Sequence, residues 1–191
     1  MRTVVSILVV SAVALGSSAS IAAAASPQQT VTGTLINRPA NTLAPGSTVS
    51  ASKIFGNRVF TDAKHGFALV QSGQAQYPAA TVDGGTTWKT NGPALHLNAA
   101  QAPLAVVDIG AAGQKTIFAW GTGQVIDTTS DGGQHWYRAT FFGLPVAVVK
   151  NPQGHLVAFV DGETGGNASP VQYVSKNGGK TWHLDNTIGG S

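Results

Sequence analysis

Short apolar segments separated by polar turns run along most of this chain and recur at a regular spacing. Between residues 52 and 184 they are rich in β-branched and aromatic residues and are bounded by Gly, Pro, Asn or Asp, which is typical of strands. No segment beyond the N-terminus keeps a helical period. The pattern predicts an all-β protein with strands near residues 58–60, 66–70, 76–80, 104–109, 116–121, 124–126, 146–149, 155–160 and 171–174.

One octapeptide occurs three times and ends each time in tryptophan. The copies are Thr81-Val82-Asp83-Gly84-Gly85-Thr86-Thr87-Trp88, Thr129-Ser130-Asp131-Gly132-Gly133-Gln134-His135-Trp136 and Ser175-Lys176-Asn177-Gly178-Gly179-Lys180-Thr181-Trp182. The period of about 47 residues is the length of a four-stranded propeller blade. Counting the strand that begins at each tryptophan, every repeat has four predicted strands.

Each octapeptide has the composition of a self-contained hairpin turn. The Gly-Gly pair permits the positive φ angles that a tight hairpin requires. The Asp or Asn oxygen can accept hydrogen bonds from N–H groups of the turn, and the hydroxyl residue two positions earlier adds a partner. The tryptophan can pack under the turn while its indole N–H finds an acceptor. We therefore predict structural roles for Thr81, Asp83, Gly85, Trp88, Thr129, Asp131, Gly133, Trp136, Ser175, Asn177, Gly179 and Trp182.

These octapeptides resemble Asp-boxes, also called BNR repeats, whose pattern is Ser/Thr-x-Asp-x-Gly-x-Thr-Trp. The form with Asp-Gly-Gly and Thr-Trp is similar to the repeats of secreted bacterial propellers and of photosystem II assembly factors, and sialidases and sortilin-like receptors carry the same box. The first copy fits fully, the second has His135 in place of Thr, and the third has Asn177 in place of Asp. The resemblance covers about residues 52–184 and implies an incomplete β-propeller of about three four-stranded antiparallel blades.

The first 25 residues have the features of a bacterial Sec-type signal peptide. Arg2 precedes an apolar run at 4–15, and small residues lead to an Ala-x-Ala exit. We expect cleavage after Ala25, with Ala24 as the alternative site, and therefore a secreted or extracytoplasmic protein. A retained membrane anchor is disfavoured, because a spanning helix needs about 20 apolar residues.

The remaining chain is too short for a complete ring of blades. Residues 26–51 form a Pro/Ser/Thr-rich segment in which only 30–36 alternates, which predicts one edge strand. Blades are expected at about 52–95, 100–142 and 143–188, whereas the resemblance implies six or more for closure. The alternatives are two chains sharing one ring, a fragment or degenerate copy, and an open array. We favour an incomplete propeller that forms a homodimer or is completed by a partner protein.

Composition excludes several classes of function. The chain has 11 Lys and Arg against 8 Asp and Glu, and no run of basic residues gives it the electrostatic footprint of a nucleic-acid-binding protein. It has no cysteine, which excludes disulfides and thiolate metal sites.

A sialidase-like glycoside hydrolase is the main catalytic alternative that the resemblance implies. Such enzymes resemble one another in having three arginines around a carboxylate, a Tyr–Glu nucleophile pair and a separate acid/base. After the expected cleavage only Arg38, Arg58 and Arg138 remain, and Arg38 lacks the Phe-Arg-Ile-Pro setting of that family. Glu163 lies in a polar loop with no tyrosine tied to it. We therefore name no catalytic residue and favour a protein that is not an enzyme.

Neither a cofactor nor a metal is expected. The loop 161–167 offers Asp161, Glu163 and Asn167 as oxygen ligands but lacks the alternating Asx series of a calcium loop, so a solvated connection is favoured. Asn167-Ala168-Ser169 fits a glycosylation sequon. The five histidines do not have a spacing that favours a metal site; they are His65, His96, His135, His155 and His183.

The function left by these exclusions is binding. We expect a non-catalytic exported repeat protein that binds protein or cell-surface glycan. The resemblance implies that ligands bind on the face opposite the box turns. Phe141, Phe142 and Tyr77 are aromatic candidates for a binding surface, and they fit blade cores equally well.

Overall fold

A computed structural model describes residues 29–98, 106–162 and 170–185. The predicted signal peptide, Glu163 and the sequon at Asn167 lie outside these ranges. Within them every regular element is a strand except one 3-10 turn at Ala51–Lys53, which confirms the all-β class. No helix in the described ranges has the length and apolar character that crossing a membrane requires.

The strands form three antiparallel sheets, which are the blades of an incomplete propeller. In each blade four strands lie side by side in chain order. Blade 1 contains β4 (Ile54–Phe60), β5 (Gly66–Ser72), β6 (Ala75–Thr81) and β7 (Trp88–Thr90). Blade 2 contains β8 (Val106–Ala111), β9 (Ile117–Gly121), β10 (Val125–Thr129) and β11 (Tyr137–Thr140). Blade 3 contains β12 (Leu144–Lys150), β13 (Leu156–Asp161), β14 (Val171–Ser175) and β15 (Thr181–Leu184).

The segment before blade 1 adds a fifth strand to every blade. It contains β1 (Thr30–Thr32), β2 (Thr34–Leu35) and β3 (Thr48–Val49), which pair antiparallel with β15, β11 and β7. The sequence predicted only one edge strand here. The predicted strand at 30–36 divides into β1 and β2, which join two different blades, and β3 lies in a stretch without an alternating pattern. Each outer strand offers an unpaired edge, which two or three residues can fill.

Gly33 lets the chain step from blade 3 to blade 2. Its N–H donates to the Lys180 carbonyl oxygen at 2.9 Å. An added Cβ would lie 3.2 Å from both the Gly179 carbonyl oxygen and the Tyr137 Cβ, so the gap between the blades leaves little room for a side chain. One continuous segment thus ties the outer edges of all three blades together.

Strand alternation divides the buried side chains between the two faces of each blade. In blade 1, Phe67 and Leu69 point towards blade 2 and pack in one cluster with Trp136. Ala68 and Val70 point the other way and belong to a separate cluster. Blades 2 and 3 share a third cluster, which contains Phe118, Ile126, Leu156, Tyr173 and Trp182.

The outer face of blade 1 is covered by the N-terminal segment. Leu43 and Val49 pack against the cluster that contains Tyr77 and Trp88. The Leu43 N–H also donates to the Tyr77 hydroxyl at 3.1 Å. Blade 1 therefore buries its outer apolar face with residues of its own chain.

Candidate functional site

The first box turn is closed by its own side chains. The N–H and hydroxyl of Thr87 donate to the two oxygens of Asp83 at 2.9 and 2.6 Å, and the Thr81 hydroxyl donates to Asp83 Oδ1 at 2.7 Å. The Gly85 N–H donates to Thr81 Oγ1 at 2.9 Å. Gly84 and Gly85 have φ of 73° and 93°, in the region that favours glycine.

The second box keeps this geometry although His135 stands where threonine is usual. The His135 N–H donates to Asp131 Oδ1 at 3.0 Å, and its Nδ1 lies 2.7 Å from Asp131 Oδ2. The Thr129 hydroxyl donates to Asp131 Oδ1 at 2.8 Å and accepts from the Gly133 N–H at 3.0 Å. The imidazole therefore replaces the hydroxyl as second donor to the carboxylate.

The third box has one acceptor fewer. Asn177 Oδ1 accepts from the Thr181 N–H at 2.9 Å and from the Ser175 hydroxyl at 3.0 Å. Ser175 Oγ accepts from the Gly179 N–H at 2.8 Å, as in the other boxes. An aspartate here would offer a second oxygen to the Thr181 hydroxyl. Asn177 has an amide nitrogen in that place, and this nitrogen can only donate.

The box tryptophans are at most 1% exposed and anchor each turn. In boxes one and three, the indole N–H of Trp88 or Trp182 donates to the carbonyl oxygen of the second glycine of its own turn at 3.0 Å. In box two, Trp136 Nε1 donates at 2.8 Å to the carbonyl oxygen of Asn91, directly after the last strand of blade 1. The second box is therefore hydrogen-bonded to the preceding blade.

Hydrogen bonds hold the box carboxylates in their charged forms. Bonds from the side chain and backbone of Thr87, with one from Thr81, lower the pKa of Asp83 to about 2. Burial acts to raise the pKa of Asp131, but bonds from the backbone and side chain of His135 and from Thr129 outweigh it and lower the value to about 2. Carboxylates so held are committed to the turns.

Asp83→Asn is expected to reduce the stability of the protein at neutral pH and to make that stability less dependent on pH in the acid range. A carboxyl whose pKa falls from 3.8 to about 2 on folding stabilises the protein above about pH 4. That contribution disappears as the pH falls through the folded value, so the unfolding temperatures of wild type and variant should converge near pH 2. Circular dichroism melts between pH 7 and 2 measure this, and parallel curves would contradict the assignment.

Asn177→Asp is expected to stabilise the third box by about 1 kcal/mol, because the second carboxylate oxygen can accept from the Thr181 hydroxyl. Asn177→Ala is the matched control and should destabilise the protein, since it removes the acceptor for two bonds. Urea unfolding of both variants gives the comparison. A variant Asn177→Asp no more stable than wild type would show that the third turn is already closed.

An ion pair between a buried aspartate and a partly exposed arginine, which the repeat pattern alone does not predict, lies beside the second box. Asp127 is fully buried and receives Arg138 Nε on Oδ1 at 2.8 Å and Arg138 Nη2 on Oδ2 at 2.7 Å. The same Nη2 donates to the Leu95 carbonyl oxygen in the connection from blade 1. Burial raises the pKa of Asp127, and Arg138 opposes that rise. The pair fastens blade 2 to the chain that enters it.

The other residues named from the sequence do not form a common site. Arg58 is exposed and lies 6.0 Å from the ring centroid of Trp88, and Arg38 is exposed elsewhere on the chain. Tyr77 and Phe141 are buried, each at 2% exposure, so of the two alternatives that the sequence left open the blade core applies to them. Phe142 is 42% exposed.

Four of the five histidines have ring contacts, each with a different partner. In the ranges that the structure covers, no group of three or more His, Asp or Glu is placed to hold a metal ion. The ring contacts are His65 with Asp62 at 2.8 Å, His96 with the Asn98 carbonyl oxygen at 2.8 Å, His135 with Asp131 at 2.7 Å and His183 with Thr30 at 3.3 Å.

The outer face of blade 3 is the exposed counterpart of the covered face of blade 1. Leu156, Ala158 and Val160 pack towards blade 2, so Val157 and Phe159 between them point away from it. Val157 is buried, at 8% exposure, and Phe159 is half-buried, so this face is exposed only in part. This second face of blade 3 is called the open face below.

Exposed large apolar side chains accumulate beside the open face. Phe142, Leu144, Val146 and Val149, at the entry to β12 and along it, are 42%, 48%, 47% and 45% exposed. β12 is also the edge strand of its sheet. Apolar groups concentrated in this way are typical of surfaces that bind another molecule.

Comparison with known proteins gives a fold-level similarity only. No protein-family model and no curated protein matches the sequence. The solved structure of YCF48 from Cyanidioschyzon merolae is similar, with 21% identity, a TM-score of 0.46, and coverage of 74% of this chain and 40% of that chain. A structure titled YCF48 bound to D1 peptide has 20% identity, a TM-score of 0.43, and coverage of 78% and 46%. The chain thus spans less than half the length of either, and its propeller architecture is established by its own three sheets.

Proposed function

We propose that this chain is an exported, non-catalytic propeller module of the Asp-box type that binds another protein through the open face of blade 3. The observation that carries the proposal is the group of exposed apolar side chains on β12, with Leu144 at 48% and Val149 at 45% exposure. Interfaces bury such groups, and an isolated folded domain gains nothing from displaying them.

The chemistry of the box turns supports a binding role. Asp83 and Asp131 accept hydrogen bonds from their own turns on both carboxylate oxygens. A general acid near neutral pH needs a raised pKa, whereas both of these values are lowered to about 2. Both carboxylates therefore have a structural role, which is to hold their turns closed.

The arginines give a sialidase-like site no support. Arg138 is paired with Asp127, and Arg58 lies over Trp88, so neither guanidinium is free of a structural contact. We expect the protein to leave a fluorogenic sialoside intact. Robust turnover that Arg58→Ala abolishes would overturn the non-catalytic proposal.

Binding is tested with immobilised protein in which the apolar group on β12 is made cationic. Wild-type chain should retain a polypeptide, either itself or one from the extracytoplasmic fraction of its host, and Leu144→Lys/Val149→Lys should retain at least tenfold less. Leu35→Lys is the matched control, because Leu35 is 42% exposed but lies on the outer strand β2. Equal retention by all three proteins would overturn the assignment of this face.

A glycan is the second ligand class to be tested, since the exposed ring of Phe142 can stack on a sugar. Binding to a glycan array that Phe142→Ser abolishes, with no polypeptide retained, would replace protein by glycan as the ligand. Export is tested separately. Mature protein from the extracytoplasmic fraction should begin at Ser26, and an intact N-terminus in the cytoplasm would overturn that part of the proposal.

A further inference from the structure

We infer that the polypeptide on the open face of blade 3 is a second copy of this chain, docked through its first box turn, so that two copies close one six-bladed ring. The inference rests on the proposed function for the existence of a binding face. It adds the identity of the partner and the contact that it makes.

Within the chain, each later box turn is seated on the blade before it. A Cβ on Gly133 would collide with the backbone and side chain of Asn91, which follows the last strand of blade 1. A Cβ on Gly178 would collide with the side chain of Ser130 in blade 2. The second and third Gly-Gly turns therefore approach the preceding blade too closely to admit a side chain.

The seat for the second turn is a recess on blade 1. Ala80, Val82 and Lys89 line it from blade 1, while Gly133 and Gln134 close it from blade 2. The recess that remains has a volume of about 390 Å³.

Blade 3 presents the same seat, and none of the residues that the structure describes places a turn upon it. The positions that Ala80, Val82 and Lys89 hold in blade 1 are held in blade 3 by Val174, Lys176 and His183. Val174 pairs with His183 across the box strands, just as Ala80 pairs with Lys89. They line a recess of about 550 Å³ whose described walls all belong to blade 3.

The first box turn has the shape that this seat receives. Its glycines have φ of 73° and 93°, close to the 70° and 92° of the docked third turn. The atoms nearest to a Cβ on Gly85 would belong to Phe60 and Trp88 of its own blade, at distances of ordinary contact. Gly84 is exposed where Gly132 and Gly178 are half-buried, and Gly85 is half-buried where Gly133 and Gly179 are buried.

The two ends of the blade stack also match in their apolar exposure. Phe60, beside the first turn, is 45% exposed. The β12 side chains provide the corresponding apolar surface on blade 3. When two copies pair head to tail, the first box turn of each copy fills the blade 3 recess of the other. The resulting six blades lie within the four to eight of closed propellers, and the two interfaces are related by a two-fold axis.

The absence of cysteine from the sequence makes this contact testable by cross-linking. Val82 and Gln134 line one recess within the chain, and their counterparts across the inferred interface are Lys176 of one copy and Thr86 of the other. Val82→Cys/Gln134→Cys is therefore the internal control, which a bis-maleimide linker should join within one chain. Lys176→Cys and Thr86→Cys chains, co-expressed with distinguishable tags, should form a mixed covalent dimer.

The pattern of products decides the inference. We expect the mixed dimer alone, no dimer from either single variant, and a covalent dimer without higher oligomers from Thr86→Cys/Lys176→Cys. A dimer from Lys176→Cys alone would show blade 3 against blade 3, and a ladder of oligomers would show an open polymer. Either result, or a linked internal control without any mixed dimer, overturns the inference. Retention of a different polypeptide that depends on Leu144 and Val149 would then leave the proposed function intact.

Discussion

Arg138→Met is expected to lower the free energy of unfolding by about 3–5 kcal/mol, because it leaves a buried carboxylate without its counter-ion. Asp127 is fully buried, and both of its oxygens accept from Arg138. The variant also removes a donor from the Leu95 carbonyl oxygen. Urea unfolding of the wild type and the variant at pH 7 measures the loss.

Two controls separate this pair from a general effect of losing an arginine. Arg58→Met removes an exposed arginine that lies 6.0 Å from the Trp88 ring centroid and should cost under about 1 kcal/mol. Asp127→Leu/Arg138→Met removes both charges and should recover most of the loss, since a buried ion pair contributes little beyond an apolar pair of similar volume. A double variant as unstable as Arg138→Met would contradict the electrostatic explanation.

Acid should reduce the cost of Arg138→Met. Burial raises the pKa of Asp127, and the variant removes the guanidinium that opposes this rise. Below the ordinary value of 3.8 the carboxyl is protonated in the folded and unfolded chain alike, so the penalty for a buried charge disappears. The difference between variant and wild type is therefore expected to be smaller at pH 4 than at pH 7.

The blades were predictable because their signals are local. Each octapeptide contains its own turn glycines, its acceptor and its tryptophan, and the strands beside it follow from composition. The added outer strands were not predictable in the same way. The predicted edge strand at 30–36 contains both β1 and β2, but nothing near it in the chain indicates that it divides between two blades. β2 pairs with β11, about a hundred positions later in the sequence.

The ion pair has a signal in the sequence that appears only when the strand register is considered. Once the second box fixes the hairpin, strand register places Asp127 directly opposite Arg138. Opposite charges at facing positions of a hairpin are a recognisable pair. The burial of Tyr77 and Phe141 had no such signal, because an aromatic residue on a strand does not reveal which face is covered. For Tyr77 the cover comes from Leu43, in a segment 34 positions earlier.

Gly179→Ala is expected to destabilise the protein by about 4 kcal/mol, and Gly85→Ala by about 1–2 kcal/mol. The two glycines hold the same position in their boxes, with φ of 92° and 93°, so the backbone penalty is common to both. A Cβ on Gly179 would also collide with the Thr128 side chain of blade 2, which is fully buried and has no room to turn away. A Cβ on Gly85 would lie 3.5 Å from Phe60 and 3.6 Å from Trp88, which is ordinary contact.

The difference between the two losses of stability measures how far glycine is needed because the turn contacts the preceding blade. Unfolding is followed at low chain concentration, where association contributes little to apparent stability. Equal losses would mean that the positive φ alone requires glycine and that the turns are not seated on the preceding blade. A larger loss for Gly179→Ala shows that the turn has no space for a methyl group once the next blade is in place. The same reasoning then predicts that Gly85→Ala, although mild in the isolated chain, weakens the association of two copies, because its methyl group would enter the seat on blade 3.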